Sequence, residues 1–192
     1  MPEYPFSDGS PETHRCEAGQ AGGSGASLET WEQFLQKPEA GSCSPACWEQ
    51  VRDLAVGRMQ SSELPAEVRL RWGGLALAAI TKKHATGMLQ KNMAEAARVR
   101  AYMITEFGVS DTDAARDVSA LCSDVLWHLG LSLETAAWLA EEWRTAPREQ
   151  MLQLRRIKNM LSALLPIRSF LEGDDPVLRD MRSWLELIPR LP

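Results

Sequence analysis

The chain has 192 residues, 44% of them hydrophobic and 24% charged, and a formal net charge of -5. This is enough apolar content for one domain with a real core, and no apolar run approaches the roughly 18 residues of a membrane span, so a membrane-spanning class is excluded. The acidic excess lies in residues 1–44, which carry seven acids against Arg15 and Lys37.

Residues 1–26 are rich in Gly, Ser, Pro and Glu and end in the run AGQAGGSGA, which leads into Ser27. They hold too little apolar surface to offset the entropy of ordering and read as a disordered acidic tail. A single helical domain is expected over 27–192. It opens with Ser27 as N-cap and Leu28, Trp31, Phe34 and Leu35 at helical spacing, and this first helix breaks at Pro38.

From there one grammar repeats, a helix opened by proline or a Ser/Asp cap and closed by glycine or proline. Ser44 and Pro45 open a helix carrying Cys47, Val51, Leu54, Arg58 and Met59, and Pro65 opens another carrying Val68, Trp72, Leu75 and Ala79. Gly73 and Gly74 inside it each cost about 1 kcal/mol relative to Ala, which points to close helix packing. Leu89, Met93, Ala96, Arg100, Met103 and Phe107 form the next stripe, with Gly108 as a left-handed stop. Ser110 with Asp113 resembles a capping box, so a helix is expected from there through Ala114, Val118, Leu121, Cys122, Val125 and Leu129 to Gly130. Ser132 caps a shorter helix with Leu133, Ala136, Ala140 and Trp143. The next helix runs over 147–165, with Met151, Leu154, Lys158, Leu161 and Leu165 on one stripe and Arg148, Arg155 and Arg156 beside or opposite it. A short segment around Ile167, Phe170 and Leu171 follows, and Asp175 with Pro176 opens a last helix through Leu178, Met181, Leu185 and Ile188. No alternating β-branched run occurs, so the fold class is all-α, a compact bundle of seven to eight short helices.

Charge segregates along this bundle. Residues 80–105 hold Lys82, Lys83, Lys91, Arg98 and Arg100 against Glu95 alone, and residues 144–168 hold six cations, among them Arg148, Arg155, Arg156 and Lys158, against Glu149. The intervening 106–143 hold eight acids against Arg116. Two basic segments separated by an acidic one suit a phosphate-binding stripe, for which Lys82, Lys83, Lys91, Arg98, Arg148, Arg155, Arg156 and Lys158 are the candidates. The competing reading is a set of solvated helix faces. Few aromatics accompany these cations, which argues against base stacking.

Most of the seven tryptophans are expected in the core, whereas Trp138 lies opposite Ala136, Ala140 and Trp143 and reads as an exposed anchor for a protein partner. The four cysteines, without a secretory leader pattern, point to a reducing, cytoplasmic or nuclear location. His14, Cys16, Cys43 and Cys47 have spacing unlike a compact zinc finger, so no metal or other cofactor is expected. No phosphate loop, GxSxG or HExxH appears, and no histidine neighbours a nucleophile, so the chain reads as a non-enzyme.

The residues HLGLSLETAAWLAEEW leading into APREQMLQLRRIKNML resemble the core domain of the pneumovirus transcription processivity factors, at Ser132, Thr135, Ala136, Leu139, Pro147, Arg148, Glu149 and Leu152. RWGGLALAAITKK is similar to the filovirus transcription activator core at Leu70, Leu75, Ala79, Thr81 and Lys82. The resemblance covers roughly residues 65–165 and implies an RNA-binding accessory factor of a viral RNA polymerase that contacts nucleoprotein or phosphoprotein in the host cytoplasm. The Cys3His finger of those families is absent here. SALLPIRSFLEGD is similar to the morbillivirus C proteins, which implies instead a host-response antagonist or regulatory adaptor acting through protein contacts alone. Partners are therefore RNA, an acidic protein segment or another copy of the chain, and no membrane.

Overall fold

A computed structural model describes residues 27–37, 40, 43–83 and 90–192. Among these residues the chain is all α, with no strand. The helices are α1 (Leu28–Leu35), α2 (Pro45–Gln60), α3 (Ala66–Lys82), α4 (Gln90–Phe107), α5 (Val118–Leu129), α6 (Leu133–Glu142), α7 (Arg148–Ser162) and α8 (Pro176–Leu187). Single 3-10 segments, Leu165–Phe170 and Ile188–Arg190, follow α7 and α8. The expected tail over 1–26 lies outside the described residues, as do Pro38, His84 and Leu89.

One compact unit ends at Ser44 and contains α1; the other is Pro45–Pro192. In α1, Ser27 Oγ accepts from the Thr30 N–H at 3.3 Å, the expected N-cap, and the Trp31 and Phe34 rings meet edge to face at 6.0 Å.

The second unit is organised around α4. Its alanines favour helix and let neighbours approach closely, and ten of its residues are buried, including Ala94, Ala97, Ala101 and Ile104. These four join the core that α5, α6, α7 and α8 complete with Leu121, Val125, Leu139, Leu154, Ile157, Leu161, Met181 and Leu185. Each such fully buried aliphatic contributes about 1.5–3 kcal/mol of transfer free energy. On its other side α4 packs on α3, where a Cβ added to Gly73 would stand 2.8 Å from Met103 Sδ and 3.1 Å from Met59 Sδ. Close packing thus explains Gly73. Gly74 has nothing within 4 Å and has no packing reason.

Two boundaries differ from the sequence reading. The helix expected from Ser110 begins only at Val118, because Asp113 accepts from the Ala115 N–H and from Arg116 Nε at 2.8 Å, stabilising a turn instead; Asp117 is the true N-cap, accepting from the Ala120 N–H at 2.9 Å. α7 ends at Ser162 rather than Leu165, since in a continued helix the Pro166 ring would strike the carbonyl four residues back. Leu165, expected in the buried stripe, is consequently 44% exposed, and Ile157, Met160 and Leu164 are buried in its stead. The glycine stops at Gly108 and Gly130 do take positive φ, 83° and 70°.

Candidate functional site

α4 leaves one stripe uncovered: Lys91, Arg98 and Thr105 are exposed, and Glu95 and Tyr102 are half-buried between them. α7 packs alongside and presents Glu149, Leu152, Gln153, Arg156 and Asn159, spaced as one helical face. A groove of about 900 Å³ lies between them, lined by that face together with Gln90 and Lys91. Gln90 Nε2 donates to the His128 carbonyl at 3.0 Å and so fixes one end of the groove on α5. Arg98 donates to Asn159 Oδ1 and ties the two walls.

Beyond that bridge, Arg98, Tyr102 and Thr105 face Ser162, Ala163 and Pro166 across a cavity of about 380 Å³. From residue 91 to residue 105 this stripe of α4 is roughly 21 Å long at 1.5 Å per residue.

The eight cations nominated from the sequence sort into three groups. Lys91, Arg98 and Arg156 converge on the furrow, so the two basic segments meet there. Lys82, Arg148 and Arg155 are exposed and without an ion pair among the described residues; Arg148 and Arg155, two turns apart, mark an outer stripe of α7 that does not line the groove. Lys83 and Lys158 are engaged inside the fold. Lys83 is buried and its Nζ lies 3.0 Å from Glu49 Oε1, while Lys158 Nζ donates to the Leu191 carbonyl at 2.7 Å and holds the C-terminal segment. The Lys83 hydrogen bond holds the Glu49 carboxyl below the usual range, with smaller contributions from Arg52 and Lys91.

Arg100, which inflates the charge of the first basic segment, is likewise buried. Its guanidinium reaches Asp124 Oδ2 at 2.7 Å, the Ala114 carbonyl at 2.6 Å and the Asp117 carbonyl at 3.2 Å. Sequence reasoning missed the groove amides, Gln90, Gln153 and Asn159. Gln153 and Asn159 were legible as neighbours of Arg156 at three-residue intervals, whereas Gln90 depends on its tertiary contact with α5.

Trp138 is 60% exposed on α6, as its position opposite Ala136 and Ala140 implies. Trp127, expected among core tryptophans, is 84% exposed, because Val118, Leu121, Cys122, Val125 and Leu129 define a buried face of α5 that it opposes. Trp31, Trp48, Trp72 and Trp184 are buried.

His14 and Cys16 lie outside the described residues, and among the described residues no three His, Cys, Asp or Glu side chains are grouped to hold a metal ion. Burial pushes the Cys122 thiol up to about 12, which keeps it protonated and unreactive. No helix among the described residues is long and apolar enough to cross a membrane. Comparisons with family models, curated proteins and solved structures return no match to the chain.

Proposed function

We propose that this is a non-enzymatic binding protein whose α4–α7 furrow takes the phosphate backbone of single-stranded RNA. The observation that carries this reading is the convergence of Lys91 and Arg156 in the groove, with Arg98 at its end, none of them in an ion pair among the described residues, beside the buried cations Lys83 and Arg100, which are partnered. Solvated, unpaired cations remain available to release counterions from a polyanion, whereas Lys83 and Arg100 would first have to break their own bonds. The neighbouring amides of Gln90, Gln153 and Asn159 offer donors and acceptors to base edges. Tyr102 is the one aromatic ring among the described residues of the furrow, so phosphate contacts dominate and sequence preference is weak. The likeness of residues 65–165 to viral polymerase cofactors favours the same class of ligand, with a viral nucleoprotein or phosphoprotein as protein partner.

Fluorescence anisotropy with a short single-stranded RNA across a salt series tests the proposal. Affinity should fall steeply with salt, and Lys91→Ala with Arg156→Ala should flatten the log–log slope by about 1.4, the loss of two ion contacts on a single strand. Lys83→Ala should leave that slope unchanged. Absence of RNA binding at low salt, or a double variant that binds with the original slope, overturns the assignment; binding of an acidic peptide in its place would assign the furrow to protein.

A further inference from the structure

α6 and α7 are neighbouring, mutually packed helices whose uncovered faces carry the same pattern in opposite charge. On α6, Trp138 is flanked by Glu134 four residues before it and Glu141 and Glu142 three and four after it. On α7, Leu152 is flanked by Arg148 four residues before it and Arg155 and Arg156 three and four after it. All eight residues are exposed, and both central side chains are large and apolar. Among the described residues Glu134, Glu142, Arg148, Arg155 and Arg156 make no ion pair. Glu141 reaches Arg190 at 2.5 Å, an exposed pair of small worth.

The placement of three of these charges is also locally unfavourable, whereas Glu134 sits favourably in the first turn of α6. Glu141 and Glu142 sit at the C-terminal, negative end of α6, and Arg148 sits at the N-terminal, positive end of α7. Each costs about 0.3–1 kcal/mol relative to the opposite charge there. A helix designed only for its own stability would reverse both signs.

We infer that the α6 face of one chain docks on the α7 face of a second copy. Laid in parallel register, the two patterns set Trp138 beside Leu152 and every carboxylate beside a guanidinium. Because each chain carries both faces on adjacent helices, a two-fold axis satisfies both contacts at once and closes the assembly as a dimer. Trp138 is the apolar anchor that such an interface needs at its centre, with the charges forming its rim. The docking face shares Leu152 and Arg156 with the furrow proposed for RNA, so neither is changed in the test, which alters only Trp138, Glu134, Glu142 and the outer-stripe residues Arg148 and Arg155.

Sedimentation velocity of the full chain, without nucleic acid, provides that test. A dimer should form with rising concentration at low salt and dissociate as salt is raised. Trp138→Ala should weaken it by about thirtyfold, the scale of a tryptophan anchor. Glu134→Arg with Glu142→Arg should abolish self-association, and so should Arg148→Glu with Arg155→Glu in a separate chain. Mixing the two variants should restore a mixed dimer. Glu142→Arg and Arg148→Glu place favoured charges at the helix ends, whereas Glu134→Arg places a disfavoured one in the first turn of α6, so circular dichroism of both variants checks that they are folded. A wild-type chain that stays monomeric at about 1 mM, charge-reversed chains that still dimerise alone, or a mixture that fails to pair overturns the inference.

Discussion

Gly73 and Gly74 are adjacent on α3 and of identical chemistry, yet the same substitution should move stability in opposite directions. At Gly74 a methyl group meets open space, so Gly74→Ala gains the helix propensity of alanine, about 1 kcal/mol, with nothing to oppose it. At Gly73 the same methyl would lie 2.8 Å from Met103 Sδ, 3.1 Å from Met103 Cε and 3.1 Å from Met59 Sδ. Both methionines are buried, and overpacking of a filled core costs about 1–3 kcal/mol. Methionine is flexible enough to relieve part of this. Offset by the same propensity gain, Gly73→Ala should be destabilising by up to about 2 kcal/mol, and the two variants should differ by about 1–3 kcal/mol. Urea unfolding at constant m-value reads that difference, and in a thermal melt it corresponds to about 2–4 °C per kcal/mol for a domain of this size. Equal stabilisation by both substitutions would refute the close approach of α2, α3 and α4 around Gly73.

Arg100→Ala should be destabilising by about 3 kcal/mol in urea, because it leaves the Ala114 carbonyl without its donor and takes one of two donors from the Asp117 carbonyl, which keeps the Leu121 N–H, whereas Asp124→Ala, which removes an exposed partner, should cost less. The Asp175 carboxyl is held below its usual range by the Ser119 hydroxyl and then by the Val177 N–H, so its contribution is fully present above about pH 4 and is lost as pH falls through its folded value. Asp175→Asn should therefore flatten the acid limb of the stability–pH curve, and an unchanged limb would assign that limb to other carboxylates. Cys122 should resist iodoacetamide at neutral pH until the chain unfolds, checked by mass spectrometry of the labelled peptides; native-state labelling would show that α5 opens locally.

Helix count and most caps were legible because their signals are local. Ser27, Ser132 and Asp175 each bond a backbone N–H two or three residues on, and Gly108 and Gly130 supply the left-handed stops. The false start at Ser110 shows the limit of local reading. Ser110 does accept from the Asp113 N–H, as a cap would, but the Asp113 carboxylate is also within reach of Arg116, and that pair stabilises a turn. The error then hid the role of Arg100. Had a helix begun at Ala114, the Ala114 carbonyl would have been engaged by the N–H four residues on; because it is not, it accepts from Arg100 Nη2.

Cation counts in the sequence could place two basic segments but not say which charges are free. Lys83 finds Glu49 and Lys158 finds the Leu191 carbonyl across more than thirty residues of chain, contacts set by packing and invisible to composition. The charges that matter are marked instead by disagreement with their surroundings. Lys91 and Arg156 stand in a groove where Glu149 is the one acid among the described lining residues, and Glu142 and Arg148 occupy the helix ends that repel them. A fold gains nothing from such placements, since a carboxylate at Arg148 and a guanidinium at Glu142 would each stabilise their own helix. Such placements fit the two proposals, a polyanion in the furrow and the oppositely charged face of a second copy on α6 and α7.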